Sequence, residues 1–412
     1  MNKQKLIVAL AVVVLSVGLF SYIQYGCSNK AAVTAETADK KPASRRHQTT
    51  GVVSVDIKEH NGTLHLLLGK NEQGQHSVWY QTSTDQGQTW SEAVNTTADL
   101  DISAKFHRGN DARLAVQEDN IVAVWMSRVD GAPHNAGPMM SVRSSDAGQS
   151  WQAATMPADW EGPHGFFAMD GNDEKISLVW LDSREQIGKG SQGLRYTSSS
   201  DGGQTWLENK TLDRQTCACC WNTARFDEQG QLYVLYRDKL PSDMAIGQVN
   251  KQDEWQRLST VGAFNWDFQG CPHIGGSLAF DESRQLFHAT VTTGEESKAG
   301  VHYLNSADQG QHWNTPVQLG SDTAVHSDLA VAAGGQLLAT WDQITATGFE
   351  VVYATSYDQG QTWTEQQQLS TLGIRASHPR VVAVDDAFVV VWTQTNADNV
   401  QELQTKLISH DS

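Results

Sequence analysis

One eight-residue frame, Ser-x-Asp-x-Gly-x-(Thr/Ser/His)-Trp, limits the folds open to this chain more than any other feature. Five intact copies run Ser83–Trp90, Ser144–Trp151, Ser199–Trp206, Ser306–Trp313 and Ser356–Trp363. The Asp carboxylate can accept hydrogen bonds from backbone N–H groups of its own turn, the Gly permits a positive φ, and the Trp is a large apolar anchor. The frame therefore predicts a rigid turn between two strands, in which the Asp holds the turn and does no chemistry.

A second pattern repeats between these turns. An alternating strand is followed by a more apolar strand and then by a third strand that runs into the frame. The apolar strand occurs seven times, at Leu64–Leu68, Ile121–Trp125, Ile176–Trp180, Leu232–Tyr236, Leu286–Val291, Leu337–Trp341 and Phe388–Trp392. Short, regularly spaced strands favour a sandwich, a barrel or a propeller, and a period of about 50 residues selects the propeller.

The predicted fold is all-β, a single β-propeller over residues 51–412 with seven four-stranded blades. Six blades are the alternative, if the first and last units share one. The seventh unit reaches Ser412 without an outer strand. We expect the stretch before Val52 to supply that strand and close the ring, because closure removes exposed sheet edges.

Charge and the N-terminal residues indicate where the chain works. A formal charge of −17 argues against nucleic acid or an anionic membrane surface as a partner. The basic start and the apolar run from Leu6 to Ile23 predict an export signal or membrane anchor over residues 1–28. The polar residues 29–50 are typical of a tether. We expect an extracytoplasmic protein, in the periplasm or at the cell surface, attached to the membrane through its N-terminus only.

Three forms of this N-terminus stay open. Cys27 directly follows Gly26, which suggests a lipoprotein acylated at Cys27 after cleavage. The apolar run is also long enough to remain as an uncleaved helical anchor. Ordinary cleavage near Ala35 is the third form.

The segments that enter each innermost strand carry the chemistry. In a propeller these strands line the central channel, so their entries converge on one face although they are distant in sequence. Five entries carry a histidine at nearly the same register: His107, His164, His273, His326 and His378. The remaining entry carries Cys217, Cys219 and Cys220, and Cys271 lies two residues before His273.

Thiolate and imidazole ligands together suit copper or zinc. We therefore predict a metal-binding or redox-active site at the channel mouth, built from these four cysteines and five histidines, with copper ahead of zinc. Structural disulfides are the alternative, because an exported chain meets an oxidising compartment. Cys217–Cys271 and Cys219–Cys271 are the candidate bridges.

The repeated frame is the Asp-box, or BNR, signature, and the chain resembles the sialidase-like propeller superfamily. The resemblance implies, for catalytic members, three Arg that clasp the substrate carboxylate, a Tyr nucleophile activated by a Glu, and an Asp acid or base. Sialidases have six blades, so seven units depart from that pattern. The family's Arg-Ile-Pro motif is absent from this sequence.

The residues nearest to a sialidase set are Arg108 and Arg380 on inner-strand entries, Arg237 after a second strand, and the carboxylates Asp111 and Asp328. Arg suits bidentate recognition of a carboxylate, and a retaining glycosidase needs two carboxyl groups close together. Three hypotheses follow: a metal- or redox-linked binding site, an exo-sialidase-type glycoside hydrolase acting on a glycan, and a non-catalytic platform for protein assembly. Whether the chain is an enzyme stays open at this point.

Overall fold

The computed structural model of the chain describes residues 49–107, 109–132, 135–185, 191–346 and 348–409, apart from the side chain of His378. These residues form 27 β-strands. Among them, no helical segment has the length and apolar character needed to cross a bilayer. The predicted signal or anchor, Cys27, nearly all of the tether and Arg108 lie outside the described residues.

The strands form seven consecutive antiparallel units, each with its first strand innermost. Unit 1 has β1 (Thr50–His60), β2 (Thr63–Glu72), β3 (Gln75–Ser83) and β4 (Val94–Asn95); unit 2 has β5 (Arg113–Gln117), β6 (Asn120–Arg128), β7 (Ala136–Ser144) and β8 (Gln152–Ala153). Unit 3 has β9 (His164–Gly171), β10 (Ile176–Asp182), β11 (Ser191–Ser199) and β12 (Lys210–Cys217); unit 4 has β13 (Thr223–Phe226), β14 (Leu232–Arg237), β15 (Met244–Val249) and β16 (Trp255–Val261). Unit 5 has β17 (Gly276–Asp281), β18 (Leu286–Thr293), β19 (Gly300–Ser306) and β20 (Val317–Leu319); unit 6 has β21 (Val325–Val331), β22 (Leu337–Thr345), β23 (Gly348–Ser356) and β24 (Gln367–Gln368). Unit 7 has β25 (Ala376–Val384), β26 (Ala387–Thr395) and β27 (Val400–Ile408).

The first and last units share hydrogen bonds. Units 2 to 6 are separate four-stranded sheets, whereas units 7 and 1 form one seven-stranded sheet in the order β25-β26-β27-β1-β2-β3-β4. The link is parallel and pairs Thr50 with Val400 and Gly51 with Gln401. The residues directly before Val52 therefore do pair with the last unit.

Packing arranges the units in a ring. The first strand of each unit contacts the first strand of the next, and β25 contacts β1. Each of seven buried apolar clusters in the described residues lies between two consecutive units. The cluster that holds Ile57, Leu66 and Val389 joins unit 7 to unit 1. Counted by hydrogen bonds, the described strands thus form six sheets. Counted by packing, they form seven units of propeller type.

The predicted apolar strands are confirmed. Each of the seven lies within the second strand of its unit, and their aromatic ends supply Trp125, Trp180 and Trp341, which are almost completely buried. Full burial of such side chains contributes on the order of 2–3 kcal/mol each.

The predicted turn chemistry is also present. In the first frame the Asp85 carboxylate accepts from the Ser83 hydroxyl at 2.8 Å and from the Thr89 N–H at 2.8 Å, and Gly87 has φ +77°. The other intact frames repeat these bonds. Each frame Trp packs on a cluster between two units, as Trp151 does between units 1 and 2. The frames therefore hold the ring together.

Strand direction places the frames and the entries at opposite ends. First and third strands run the same way, because each pairs antiparallel with the second strand between them. The frames follow third strands, whereas the entry segments precede first strands. The entry face is thus free of the repeated turns.

Candidate metal centre at the channel entrance

A ladder of side chain to backbone hydrogen bonds fixes the register of the innermost strands. A polar side chain on one first strand, or on the segment that enters it, accepts the backbone N–H of a residue 52–58 positions later. The pairs, acceptor first, are Ser54 with Ala112, Asp56 with Leu114, Asn110 with Phe166, Asp170 with Phe226, Ser277 with Leu329 and Asp328 with Val381. Neighbouring strands therefore enter the ring at matching heights.

The three entry cysteines form one buried cluster between units 3 and 4. Cys217 ends β12, and Cys219 and Cys220 lie in the segment that leads to β13. The Cys217 Sγ lies 3.9 Å from the Cys219 Sγ and 3.2 Å from the Cys220 Sγ. All three sulfur atoms lie within 4.8 Å of one another, and none of these three cysteines is more than 4% exposed. One soft metal ion could contact all three.

Ionisation within this cluster is uneven. Hydrogen bonds with the Cys219 and Cys220 thiols lower the pKa of Cys217, and the Arg237 guanidinium lowers it further. The hydrogen bond with Cys217 raises the pKa of Cys219, and burial raises the pKa of Cys220. The three thiols are therefore not equivalent, and Cys217 is the one whose ionisation is favoured.

Arg237 supplies positive charge beside the thiols. It is 2% exposed, and it donates to the backbone carbonyls of Ile274 at 3.1 Å, Ser242 at 2.6 Å and Thr292 at 2.8 Å. Carbonyl partners fix the guanidinium but do not cancel its charge. These three bonds hold Arg237, one of the predicted sialidase-type residues, against the backbone.

Two of the predicted histidines meet at the entrance above the cluster. The rings of His107 and His273 are 5.8 Å apart, and both contact Phe166, at 5.9 and 6.1 Å. Phe166 belongs to the same apolar cluster as the three cysteines. Partial burial lowers the pKa of His273, and the Cys217 thiolate opposes this shift.

Trp221 packs among the entry segments of several units. It is 3% exposed, its ring stacks on His326 at 5.3 Å, and the Arg380 guanidinium lies 6.0 Å away. A Cβ on Gly275 would lie 2.3 Å from the Trp221 Nε1, and one on Gly109 2.8 Å from its Cε3. Only glycine fits at these two positions.

Among the described side chains, His164, His326 and Cys271 are not part of the three-sulfur group. His164 is buried, and its Nδ1 accepts the Met139 N–H at 3.0 Å; burial lowers its pKa to about 4. The His326 Nδ1 lies 2.7 Å from the Asp342 carboxylate. Cys271 is exposed and remains a thiol, outside the three-sulfur group. The side chain of His378 is outside the described residues.

The candidate catalytic carboxylates and Arg380 form an ionic network inside the channel. Asp111 lies 3.4 Å from Arg380 and 3.6 Å from Arg113, and Arg113 pairs with Asp56 at 3.1 Å. Asp328 accepts the Ser277 hydroxyl at 2.7 Å as well as the Val381 N–H. Burial and repulsion from Arg113 lower the pKa of Arg380. These charges are used to join first strands to one another.

The small cavity beside these residues also agrees with a structural role for their charges. The cavity that contains Arg113, Asp328 and Arg380 has a volume of about 40 Å³, close to that of a single water molecule. A cavity of about 800 Å³ lies at the far end of the channel, lined by none of the candidate catalytic residues.

Sequence reasoning missed Arg113, Asp56, Phe166 and Trp221. Arg113 and Asp56 lie within first strands, outside the predicted entry segments. Trp221 is the last residue of the cysteine entry segment and Phe166 directly follows the His164 entry, and the large aromatic side chains at these positions were a usable signal.

Comparison with known proteins agrees with this architecture. The family model for the BNR/Asp-box repeat matches residues 81–92, whereas no curated protein sequence matches the chain. An ulvan lyase of polysaccharide lyase family PL25 has a similar structure, with a TM-score of 0.56 at 11% identity over 88% of this chain and 93% of that one. The fold is that of the sialidase-like Asp-box propellers.

A sialidase itself is among the similar structures. Trypanosoma rangeli sialidase, solved with the inhibitor DANA, gives a TM-score of 0.51 at 13% identity, over 76% of this chain and 56% of that one. Identities this low show a shared fold only. The chemistry of this Asp-box propeller must therefore be argued from its own side chains.

Proposed function

We propose that this chain is an extracytoplasmic, membrane-tethered Asp-box propeller of seven blades that binds a soft metal ion at Cys217, Cys219 and Cys220. The observation that carries the proposal is the group of three buried sulfur atoms within 4.8 Å of one another. Three buried thiols in one apolar cluster serve no packing need that smaller apolar residues would not meet, whereas they match the ligand set of a thiophilic ion.

Copper(I) fits this ligand set better than zinc. Structural zinc sites are almost always four-coordinate, and the described residues offer three ligand atoms within bonding range of one another. Copper(I) is soft and is selected by thiolate ligands. Zinc would need His273 or Cys271 to move in as a fourth ligand.

Local charge supports the same choice. Bound thiols lose their protons, so copper(I) with three thiolates carries a net charge of −2. Burying such charge is expensive unless it is paired. Arg237 lies close enough to lower the pKa of Cys217 and Cys220, and so it partly compensates that charge.

Elemental analysis tests the proposal directly. Protein purified under reducing conditions without chelator, or reconstituted with copper(I), should hold about one ion per chain, as expected for one thiolate site. The Cys219→Ser, Cys220→Ser double variant should lose it. Cys271→Ser is the matched control, because Cys271 is an exposed cysteine outside the group, and it should keep the ion.

Two results would contradict the proposal. One is wild-type protein without a stoichiometric metal ion under both conditions. The other is metal that stays bound in the double variant. A thiol count on non-reduced protein, compared with the reduced form, separates a metal site from the disulfide alternative.

The location outside the cytoplasm rests on the first 50 residues. Cell fractionation of the full chain should place it with the membrane, and Cys27→Ser should release it if lipid at Cys27 is the anchor. Unchanged membrane attachment of that variant would favour the uncleaved helix.

A sialidase-type glycoside hydrolase remains the second candidate, because the fold is sialidase-like. Against it stand the pairing of Arg113 and Arg380 with carboxylates and the small volume between them. A fluorogenic sialoside decides the matter: turnover by wild-type protein that Arg380→Ala abolishes would favour the hydrolase.

A further inference from the structure

The three ligand thiols are sealed from solvent, which raises the question of how an ion reaches them. Cys217, Cys219 and Cys220 are 3%, 4% and 1% exposed. A hydrated or chelated ion cannot contact sulfur atoms at that depth. Some group at the surface must take the ion first.

His273 is placed to do so. It is exposed at the entrance and follows the loop after β16. The next residue, Ile274, is held in place because its carbonyl accepts a hydrogen bond from Arg237 at 3.1 Å. The His273 backbone has φ +55°, and Phe166, which its ring contacts, has φ +58°. Non-glycine residues held in this region cluster at functional sites.

Phe166 lies between His273 and the thiol segment. His107 lies edge-on at 5.8 Å on one side of its ring. Phe166 contacts both imidazoles and packs in the same cluster as the three cysteines. Asn222, two residues after Cys220, donates to the Phe166 carbonyl at 2.8 Å, so Phe166 connects the two imidazoles to the segment that carries the thiols.

We propose that His273, with His107 as its second ligand, takes copper(I) from a small soluble complex at the surface and passes it to Cys217. The inference rests on the proposed copper site. Each step is a ligand exchange: a copper–nitrogen bond breaks as a copper–sulfur bond forms, the imidazole leaves neutral, and copper stays in the +1 state. Cys219 and Cys220 then join, and their protons pass to solvent.

Loading kinetics test this. The purified full chain is mixed with the copper(I) bis-bicinchoninate complex, and transfer is followed by the loss of the complex's colour. His273→Ala should load about tenfold more slowly, as expected when one contact to the transition state is lost, while the final copper content stays equal to wild type. His107→Ala should slow loading less. His273→Gln serves if the alanine variant folds poorly.

A matched control is available in the repeated turns. His312 is exposed and occupies the position that holds Thr or Ser in the other intact frames, so His312→Thr should leave the loading rate unchanged. An unchanged rate in His273→Ala would overturn the inference while leaving the thiol site intact. Loss of copper content in that variant would overturn it too, because His273 would then be a permanent ligand. Failure of wild-type protein to take up copper would overturn the thiol site and this inference together.

Discussion

Two buried regions of this propeller differ in which groups pair with their arginine side chains. Inside the channel, Arg113 and Arg380 face Asp56 and Asp111, so cation meets carboxylate. At the entrance, Arg237 is held by backbone carbonyls, and its positive charge lowers the pKa of the Cys217 thiol. The first arrangement is complete and joins strands. The second gives the guanidinium neutral carbonyl partners, so its positive charge stays available to thiolate ligands around a cation.

The largest effect should come from breaking the channel network. Arg113→Met leaves Asp56 and Asp111 with less compensation, and loss of one partner of a buried pair costs about 3–5 kcal/mol of unfolding free energy. Urea denaturation measures this. Arg257→Met removes a more exposed pair with Asp238 and should cost about 0–1 kcal/mol. Equal costs for the two variants would contradict the distinction between the regions.

A smaller effect is expected at the entrance. Arg237→Gln removes the charge beside the thiols, so the apparent thiol pKa should rise and copper(I) affinity should fall about tenfold, within the range for residues that tune metal ligands. Thiolate absorbance against pH and competition with a copper(I) chelator measure the two quantities.

Two variants keep that result interpretable. Arg237→Lys retains a positive charge and should keep most of the affinity. Arg225→Gln, on the first strand of the same unit but lining the cavity at the far end of the channel, should change neither quantity. An Arg237→Gln variant that folds and binds copper(I) as wild type does would show that the guanidinium only holds backbone.

The repeated turns are exposed, unlike the two buried regions, and changing one of them should have the smallest effect on stability. Hydrogen bonds from Ser150 and Ser144 lower the pKa of Asp146 from 3.8 to about 2. A carboxyl whose pKa is lower in the folded state stabilises the fold above about pH 3.8, and this contribution is lost as pH falls towards 2. Asp146→Asn should therefore flatten the fall of melting temperature in this window.

Thermal unfolding between these pH values measures that slope. Asp130→Asn changes an exposed loop carboxylate outside any frame and is the control. An identical acid slope in wild type and Asp146→Asn would mean that the frame does not use the carboxylate charge.

The candidate site was only partly predictable. The three entry cysteines are adjacent in sequence, so their clustering follows from a short segment. His107 and His273 come together because equivalent repeat positions enter the ring at one height. His164 and His326 hold equivalent positions as well, but each bonds to a nearby group. The Met139 N–H donates to His164, and the Asp342 carboxylate pairs with His326. A repeat fixes where a backbone enters the ring, and it does not fix which neighbour a side chain meets.

The sequence by itself determined the local structure: the strands, their turns and the number of repeats. It could do so because turn hydrogen bonds and strand alternation involve residues a few positions apart. Tertiary structure alone decided that Arg113 is bound to Asp56 and Arg380 to Asp111. Those contacts join residues tens to hundreds of positions apart, and they exist only once apolar packing has closed the ring.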